Sequence, residues 1–168
     1  MKIGIVIPAH NEAMTIAKCL ASVRAAIEEL PSIIEVYTLV VLDSCTDNTE
    51  SIVKAAGIDY LCCNYQCVGQ VRNIGIRHAI TNDATWLACT DADSVVPIDW
   101  LVRQIEHISH QPTDMICGVV DIDSWAHLTP QTRKDYIAHY QDKMGHRHIH
   151  GANLSFSTKT YLTVGGFA

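Results

Sequence analysis

Carboxylates follow apolar segments at several points in the sequence. Asp91 and Asp93 come directly after the apolar run 85–90, and Asp43 follows another such run, 36–42. Residues i and i+2 of an extended chain point the same way, so the carboxylates of Asp91 and Asp93 would repel each other unless a cation lay between them. Oxygen ligands of this kind suit a divalent cation that also binds water and phosphate. A metal site is therefore one interpretation of this pair, and a solvated acidic turn is the other.

A second acidic pair, Asp121 and Asp123, follows a later apolar run. It is a weaker candidate for a catalytic base or an extra metal ligand, and an exposed strand end is the simpler interpretation. His146, His148 and His150 alternate, so they would share one side of an extended segment and could bind a metal there. A solvated polar segment is the interpretation that we favour for these histidines.

The chain contains seven cysteines, an odd number, and no secretion signal precedes them. We therefore expect reduced thiols of a cytoplasmic protein. Cys62, Cys63 and Cys67 lack the second half-site that a zinc centre requires, so buried or loop thiols are favoured over zinc. Trp125 could stack on a sugar ring, but packing against neighbouring side chains is the favoured interpretation.

The usual phosphate-binding sequences are absent from this chain. No G-x-G-x-x-G follows the first apolar run, and no G-x-x-x-x-G-K-[ST] occurs anywhere. A bound nucleotide would therefore need a metal ion to hold its phosphates. Twelve basic and eighteen acidic residues give a formal net charge of −6 with no run of Lys or Arg, so we expect no nucleic-acid partner.

The elements that must position these residues alternate along the chain. Short continuous apolar runs are typical of strands buried on both faces, and apolar residues every three or four positions are typical of amphipathic helices. The predicted strands cover residues 3–7, 36–42, 58–62, 85–90, 115–120 and 153–156. The predicted helices cover residues 15–30, 46–56, 68–80, 97–110 and 129–143.

This alternation predicts an α/β domain with a mainly parallel sheet. Right-handed crossovers bring the C-terminal ends of parallel strands to one edge of the sheet. Ligands of open α/β sheets bind at that edge, where the strand order reverses. Because residues 8–12, Asp43 and the pair Asp91 and Asp93 each follow a predicted strand, we expect them to meet there.

Length and composition agree with one folded domain. The chain has 168 residues, of which 48% are hydrophobic and 18% charged, and this balance excludes disordered and coiled-coil chains. No apolar run reaches the length of a transmembrane helix. We expect a cytoplasmic protein, with a peripheral position at the membrane as the alternative.

Several segments, in this order along the chain, together resemble the family 2 glycosyltransferases. Each segment alone is a weak signal, whereas their shared order over nearly the whole chain is a strong one. The segments are Ile7-Pro8-Ala9-His10-Asn11-Glu12, Leu42-Asp43-Ser44-Cys45-Thr46-Asp47-Asn48-Thr49, Gly69-Gln70-Val71-Arg72-Asn73-Ile74-Gly75, Asp91-Ala92-Asp93, Gly151-Ala152-Asn153 and Gly165-Gly166-Phe167.

The resemblance implies a GT-A fold, a Rossmann-like three-layer sandwich, and transfer of a sugar from a nucleotide-diphosphate sugar to an acceptor hydroxyl of unknown identity. It implies Mg²⁺ or Mn²⁺ as cofactor, held by Asp93 with Asp91. It places Asp43 at the edge of the nucleobase and Arg72 near the phosphates or sugar of the donor. The donor-binding residues implied in this way are Pro8, Ala9, His10, Asn11, Glu12, Asp43, Arg72, Asp91 and Ala92.

Two departures from the family pattern bear on function. Leu42 stands where the family has the first Asp of an Asp-Asp pair, so nucleoside contacts there are expected to differ. The family's later E-D segment, whose Asp is the usual base of inverting transfer, does not follow Phe167. We therefore expect residues 1–168 to be one nucleotide-sugar-binding domain that lacks the acceptor and catalytic-base segment.

Two alternatives to a glycosyltransferase stay open at this point. A nucleotidyltransferase of related fold would also use an acidic pair and a divalent metal. A donor-binding domain without catalytic activity would fit the missing E-D segment.

Overall fold

A six-stranded sheet with helices on both faces is the frame of the structure, a computed structural model that describes residues 1–126, 128–140 and 143–167. The strands are β1 (Lys2–Ala9), β2 (Glu35–Asp43), β3 (Asp59–Cys63), β4 (Trp86–Cys89), β5 (Met115–Cys117) and β6 (Leu154–Ser157). The helices are α1 (Ile16–Glu28), α2 (Thr49–Ala55), α3 (Val68–Thr81), α4 (Trp100–His110), α5 (Pro130–His139) and α6 (Thr158–Val164).

The strand order is β3-β2-β1-β4-β6-β5, and the first four of these strands are parallel. Strand β6, the last along the chain, lies between β4 and β5 and runs antiparallel to both. The chain leaves β1 toward β2 on one side and later returns to β4 on the other, so the order reverses between β1 and β4. Val6 pairs with Cys89 there, which brings the C-terminal ends of the two strands side by side. The prediction of a mainly parallel α/β sheet is confirmed.

The core has two layers because β1 and β2 are buried on both faces. Ile3, Ile5 and Ile7 of β1 pack on one face with residues of α1, α2 and α4. Val6 points to the other face, where Val41 of β2 and residues of α3 and α6 pack. This alternation with apolar residues on both sides explains why the strands read as continuous apolar runs in the sequence.

Helix α3 lies unusually close to the sheet at Gly75. A Cβ atom placed on Gly75 would lie 2.5 Å from Cγ1 of Val6 and 2.7 Å from Cγ2 of Val41. Only a residue without a side chain allows this approach. The glycine of the Arg-Asn-x-Gly segment therefore sets the distance between α3 and the central strands.

Four predicted elements differ from the structure by three residues or more at one end. The predicted helix 46–56 begins only at Thr49, because residues 44–48 form a loop, and the predicted helix 97–110 begins at Trp100. The predicted strand 115–120 ends at Cys117. The predicted helix 129–143 begins at Pro130 and ends at His139, where Tyr140 turns to extended backbone; residues 141 and 142 lie outside the described part of the chain.

The sequence analysis missed helix α6. The Ser157 hydroxyl caps it by accepting a hydrogen bond from the Thr160 N–H at 3.0 Å, and Gly165 ends it with a left-handed backbone at φ 85°. Both are ordinary helix-end signals, but seven residues are too few for a clear apolar period. Within the described residues, no helix has the length and apolar character needed to cross a bilayer.

We expect Gly75→Ala to destabilise the protein by about 1–3 kcal/mol, since the new methyl group would force α3 away from Val6 and Val41. The free energy of unfolding from urea titration measures this change. Gln70→Ala, on an exposed position of the same helix, is the matched control and should shift it by less than about 0.5 kcal/mol. Equal stability of the Gly75 variant and the wild type would contradict the close packing.

Candidate functional site

A cavity of about 510 Å³ lies at the C-terminal edge of the sheet, where β1 and β4 adjoin. Four segments line it: the turn after β1, the end of β2, the start of α3 and the turn after β4. The lining residues are Pro8, Ala9, His10, Glu12, Asp43, Gln66, Cys67, Val68, Val71, Asp91, Ala92 and Asp93. The structure thus brings together most of the predicted donor-binding and metal-binding residues; Asn11 and Arg72 do not line the cavity but contact His10 and Asp91, respectively.

Asn11 holds the turn after β1 against the loop after β2. Its backbone is left-handed, with φ 55°, and its side-chain oxygen accepts hydrogen bonds from the N–H groups of Thr46 (2.7 Å) and Asp47 (3.2 Å). The Cys45 thiol donates to the Ala9 carbonyl at 3.4 Å in the same region. Burial raises the pKa of Cys45, as expected for a packed thiol.

Asp47 joins the same two segments a second time. One carboxylate oxygen accepts from the N–H (3.0 Å) and hydroxyl (2.5 Å) of Thr49, and the other accepts from the Ala13 N–H at 3.0 Å. The Glu12 N–H in turn donates to the Thr49 hydroxyl at 2.8 Å. The hydrogen bonds from Thr49, followed by the one from Ala13, hold the pKa of Asp47 below its ordinary value. The Asp-x-Thr part of the motif therefore shapes the cavity without lining it.

His10 is oriented by the main chain of Asp43. The imidazole Nδ1 lies 2.6 Å from the Asp43 carbonyl, which can only accept, so Nδ1 carries the hydrogen. The side-chain amide of Asn11 lies 3.3 Å from Nε2, which is then the acceptor. The ring is held at the cavity with its tautomer set by these two contacts.

Asp43 is only 5% exposed, yet its side chain lines the cavity. Its Oδ1 accepts from the Tyr65 N–H at 2.8 Å and from the Ser44 hydroxyl at 3.2 Å. Ser44 adopts a left-handed backbone, φ 54°, which turns the chain away from the sheet directly after Asp43. The carboxylate is thus fixed at the end of β2 by groups from both sides.

Asp91 and Arg72 form an ion pair beneath the turn after β4. Arg72 is 8% exposed and comes from α3, and it is not among the lining residues. The Cys19 thiol of α1 donates to the Asp91 carbonyl at 3.4 Å, so the turn is held from both faces of the sheet. The expected contact of Arg72 with a donor stays a prediction, while its contact with Asp91 is evident.

The lining of the cavity is strongly acidic. Glu12, Asp43, Asp91 and Asp93 contribute carboxylates, whereas no Lys or Arg lines it among the described residues. The nearby thiol of Cys19 is affected by these charges. Burial first, and then the charges of Asp93, Asp91 and Glu12, raise the pKa of this thiol to about 12. These charges disfavour binding of an anion unless a cation accompanies it.

Asp93 is the most accessible of the acids in the turn after β4. Its carboxylate makes one long contact, 3.5 Å from the Ser94 hydroxyl, and the residue is exposed. Over the described residues, no group of three or more His, Cys, Asp or Glu side chains converges as a complete metal site. Asp91 and Asp93 therefore do not form a closed metal site by themselves, and metal binding by this pair stays a prediction.

The second acidic pair lies apart from the lining residues. Asp121 and Asp123 are both exposed, and Asp123 contacts Lys18 at 3.7 Å, with the Asp123 side chain 97% exposed. The exposed position agrees with the simpler interpretation of this pair. Their role as a base or metal ligand stays a prediction.

The three alternating histidines form a stack of rings. The rings of His146 and His148 lie 5.5 Å apart and those of His148 and His150 lie 5.7 Å apart, and Tyr140 stacks on His148 at 4.6 Å. Trp125 packs edge-on against Tyr136 at 5.3 Å, as favoured from the sequence. The alternate histidines do share one side, but the segment is not a strand. It is also not a fully solvated segment, because the histidine rings are half-buried against one another.

Gln66, Cys67, Val68 and Val71 are lining residues that the sequence analysis missed. They lie between the end of β3 and the first turn of α3. The same rule that found the other residues, that ligands meet the segments after parallel strands, applies to this strand as well. The signal was present, but none of these residues is acidic, and only Val71 belongs to one of the segments that resemble the family.

Residues 4–162 match the sequence profile of Glycosyl transferase family 2, and the chain belongs to this family of sugar-transferring enzymes. No curated protein sequence matches the chain.

Several solved glycosyltransferases share the fold. Staphylococcus aureus TarS, residues 1–349 in complex with UDP, is 21% identical with a TM-score of 0.61 over 74% of this chain and 37% of TarS. The mannosyltransferase PcManGT of Pyrobaculum calidifontis, in complex with GDP-Man and Mn²⁺, is 17% identical with a TM-score of 0.68 over 99% of this chain and 47% of its own. Glucosyl-3-phosphoglycerate synthase of Mycobacterium tuberculosis, in complex with UDP, is 14% identical with a TM-score of 0.57 over 94% of this chain and 57% of its own. These likenesses show the GT-A fold, and the chain spans about half the length of such relatives or less.

We expect Asp47→Ala to be less stable than the wild type at neutral pH, because Thr49 and Ala13 lose their acceptor. The folded-state pKa of Asp47 lies below its unfolded value, so the carboxylate stabilises the fold above that unfolded value and loses this effect as the pH falls through the folded-state pKa. The difference in unfolding free energy between the two proteins should therefore be largest near neutral pH and decrease below about pH 4.

Urea titrations at neutral and acid pH measure this difference. Glu28→Ala is the matched control, since Glu28 is exposed and has no hydrogen bond or ion pair within the described chain. A gap for Asp47→Ala that stays constant down to acid pH would show that the carboxylate charge does not hold the two loops.

Proposed function

We propose that residues 1–168 form a donor-binding domain that binds a nucleoside diphosphate sugar in the cavity and supports transfer of its sugar to an acceptor hydroxyl. Membership of Glycosyl transferase family 2 supports the reaction class. The observation that carries the proposal is the cavity itself, at the point where strand order reverses, with four carboxylates and no unpaired basic side chain in its described lining. Because the described lining holds four carboxylates and no Lys or Arg, it suits a donor that arrives with a divalent cation.

The nucleoside would lie between the turn after β1 and the end of β2. Asp43 is buried, and its main chain orients His10, so both would meet the donor with fixed geometry. A buried carboxylate favours a partner that donates hydrogen bonds, such as the N–H edge of a base. Pro8, Ala9 and Glu12 complete this side of the cavity, and Asn11 holds it in shape.

The residues of the turn after β4 fit a Mg²⁺ or Mn²⁺ ion. A small hard cation is commonly held by one or two carboxylates with substrate phosphates and water, and Asp91 and Asp93 offer that number of ligands. Asp93 is free of strong partners, and Asp91 keeps part of its carboxylate at the cavity beside Arg72. A bound cation would stabilise the negative charge that develops on the leaving diphosphate.

The acceptor side is supported less directly. A base must lie within hydrogen-bond reach of the attacking hydroxyl. Asp121 and Asp123 are the candidates within the chain, and both are exposed. Titrating transfer against pH in Asp121→Asn and Asp123→Asn would test them, since loss of a base removes the alkaline rise in rate.

The relatives bind donors with different bases and sugars. TarS is seen with UDP and with UDP-GlcNAc, and PcManGT with GDP-Man. The donor of this chain is therefore best found with a panel of uridine and guanosine diphosphate sugars. Binding of one of them with Mn²⁺ present would stabilise the fold, by about 2.7 kcal/mol at a hundredfold its dissociation constant.

We expect binding of the selected nucleoside diphosphate to require Mg²⁺ or Mn²⁺ and to be lost in EDTA. Without the cation, the diphosphate would face the carboxylates of Asp91 and Asp93 directly. Calorimetry with and without chelator measures the effect, and Asp93→Ala should lose binding in the same way. Asp59→Ala, an exposed carboxylate on β3 that does not line the cavity, is the control. Equal affinity with and without EDTA would remove the metal from the proposal.

We expect Asp43→Asn to weaken nucleoside diphosphate binding by about 1–3 kcal/mol, the cost of an unpaired or mispaired buried group. The amide keeps one oxygen for the Tyr65 N–H, so the fold should stay intact. Titration of the free nucleoside as well as the diphosphate separates this effect from the metal, because only the base contact should change. An unchanged dissociation constant in the folded variant would contradict the assigned contact.

A further inference from the structure

Arg72 is a buried cation whose guanidinium lies between Asp91 and Gly151. Its guanidinium pairs with Asp91 on one side. A Cβ atom placed on Gly151 would lie 2.4 Å from Cζ, 2.5 Å from Nη2 and 2.6 Å from Nη1 of Arg72. The guanidinium therefore lies directly against the main chain of Gly151. Any side chain at position 151 would have to displace it.

The turn that carries Gly151 is fixed from its other side. Residues 151–153 form a single 3-10 turn, and the Asn153 side chain accepts from Trp100 Nε1 at 3.0 Å. The same side chain donates to the Val119 carbonyl at 2.9 Å, and the Asn153 carbonyl accepts from the Gly118 N–H at 2.8 Å. Because α4 and the segment after β5 both hold Asn153, the turn cannot easily yield to a group at position 151.

Arg72 has few contacts of its own that would fix its orientation. Its Nε–H is buried and has no hydrogen-bond partner. A buried unpaired donor is costly, so the guanidinium would turn to pair it if the space allowed. Packing against Gly151 and the ion pair with Asp91 are what hold it as it is.

We propose that Gly151 and Arg72 are positioning residues for Asp91, with Gly151 acting through Arg72. The guanidinium, held against the turn 151–153, fixes one oxygen of Asp91 and so orients the carboxylate that lines the cavity. This inference rests on the proposed function, because it assigns the orientation of Asp91 to the binding of the diphosphate and its cation. Arg72 then serves the donor through Asp91 instead of contacting it.

A double-mutant cycle tests the pathway. We measure the dissociation constant of the selected nucleoside diphosphate with Mn²⁺ for the wild type, Gly151→Ala, Arg72→Ala and the double variant. Partners that orient metal-binding carboxylates typically contribute about 10- to 100-fold in affinity, and each single variant should lose about that much. In the Arg72→Ala background, Gly151→Ala should have no further effect, because the atoms it would strike are gone.

Gly4→Ala is the matched control for packing. A Cβ atom there would lie 2.8 Å from Cβ of Ala79 and 2.9 Å from Cβ of Ala84, away from the lining residues. This variant should lose stability and keep the dissociation constant of the wild type. Wild-type affinity in Gly151→Ala, or losses that add in the double variant, would overturn the proposal.

A second readout needs no nucleotide. The Nε–H signal of Arg72 in a ¹⁵N NMR spectrum, assigned by its absence in Arg72→Lys, should be protected from exchange with water in the wild type. Gly151→Ala should abolish this protection and Gly4→Ala should retain it. Unchanged protection in Gly151→Ala would overturn the contact. A wild type that binds none of the nucleoside diphosphates while showing this pattern would instead refute the proposed function, so the two failures are distinguishable.

Discussion

Burial of β1 on both faces and both edges is the constraint on which the site depends. Strands β2 and β4 pair with it on either side, and helices cover both faces, so its side chains must be apolar. Polar groups can enter only where the strand ends. The segment from Pro8 to Glu12 and the turn from Asp91 to Asp93 then meet, because β4 runs parallel to β1 and ends beside Val6. Polar and acidic residues therefore lie at this edge of the sheet, because the apolar interior excludes them.

An acidic cavity at the end of an apolar sheet is electrostatically unfavourable by itself. Carboxylates that face one another repel, and the raised pKa of the nearby Cys19 shows that their field reaches into the core. Arg72 offsets part of this charge from beneath, at Asp91. The remaining imbalance favours a ligand that places a cation next to these carboxylates.

The glycines of the family-like segments have distinct physical roles. Gly75 lets α3 approach Val6 and Val41. This short distance between α3 and the sheet places Arg72 under the turn after β4. Gly151 then leaves room for the guanidinium, and Gly166, with φ 88°, lies against Asn73 and Tyr161. Segments far apart in the chain thus meet around α3, each glycine allowing one close approach. Some motif residues that the sequence suggests as ligand contacts, such as Arg72, instead hold other residues of the site in place.

The sequence by itself determined the α/β class, the parallel core strands and the strand-end location of Asp43, Asp91 and Asp93, because these follow from local apolar patterning and from the handedness of crossovers. It did not determine that Arg72 turns to Asp91, that Asn11 and Asp47 join two loops, or that His148 stacks on Tyr140 between two other histidine rings. It also did not place Gln66, Cys67, Val68 and Val71 at the cavity, since nothing in their residue types marks a cavity. Arg72 and Asp91, like the loops after β1 and β2, lie far apart in the chain, so only the packing of α3 and the pairing of the strands bring these partners within bonding distance.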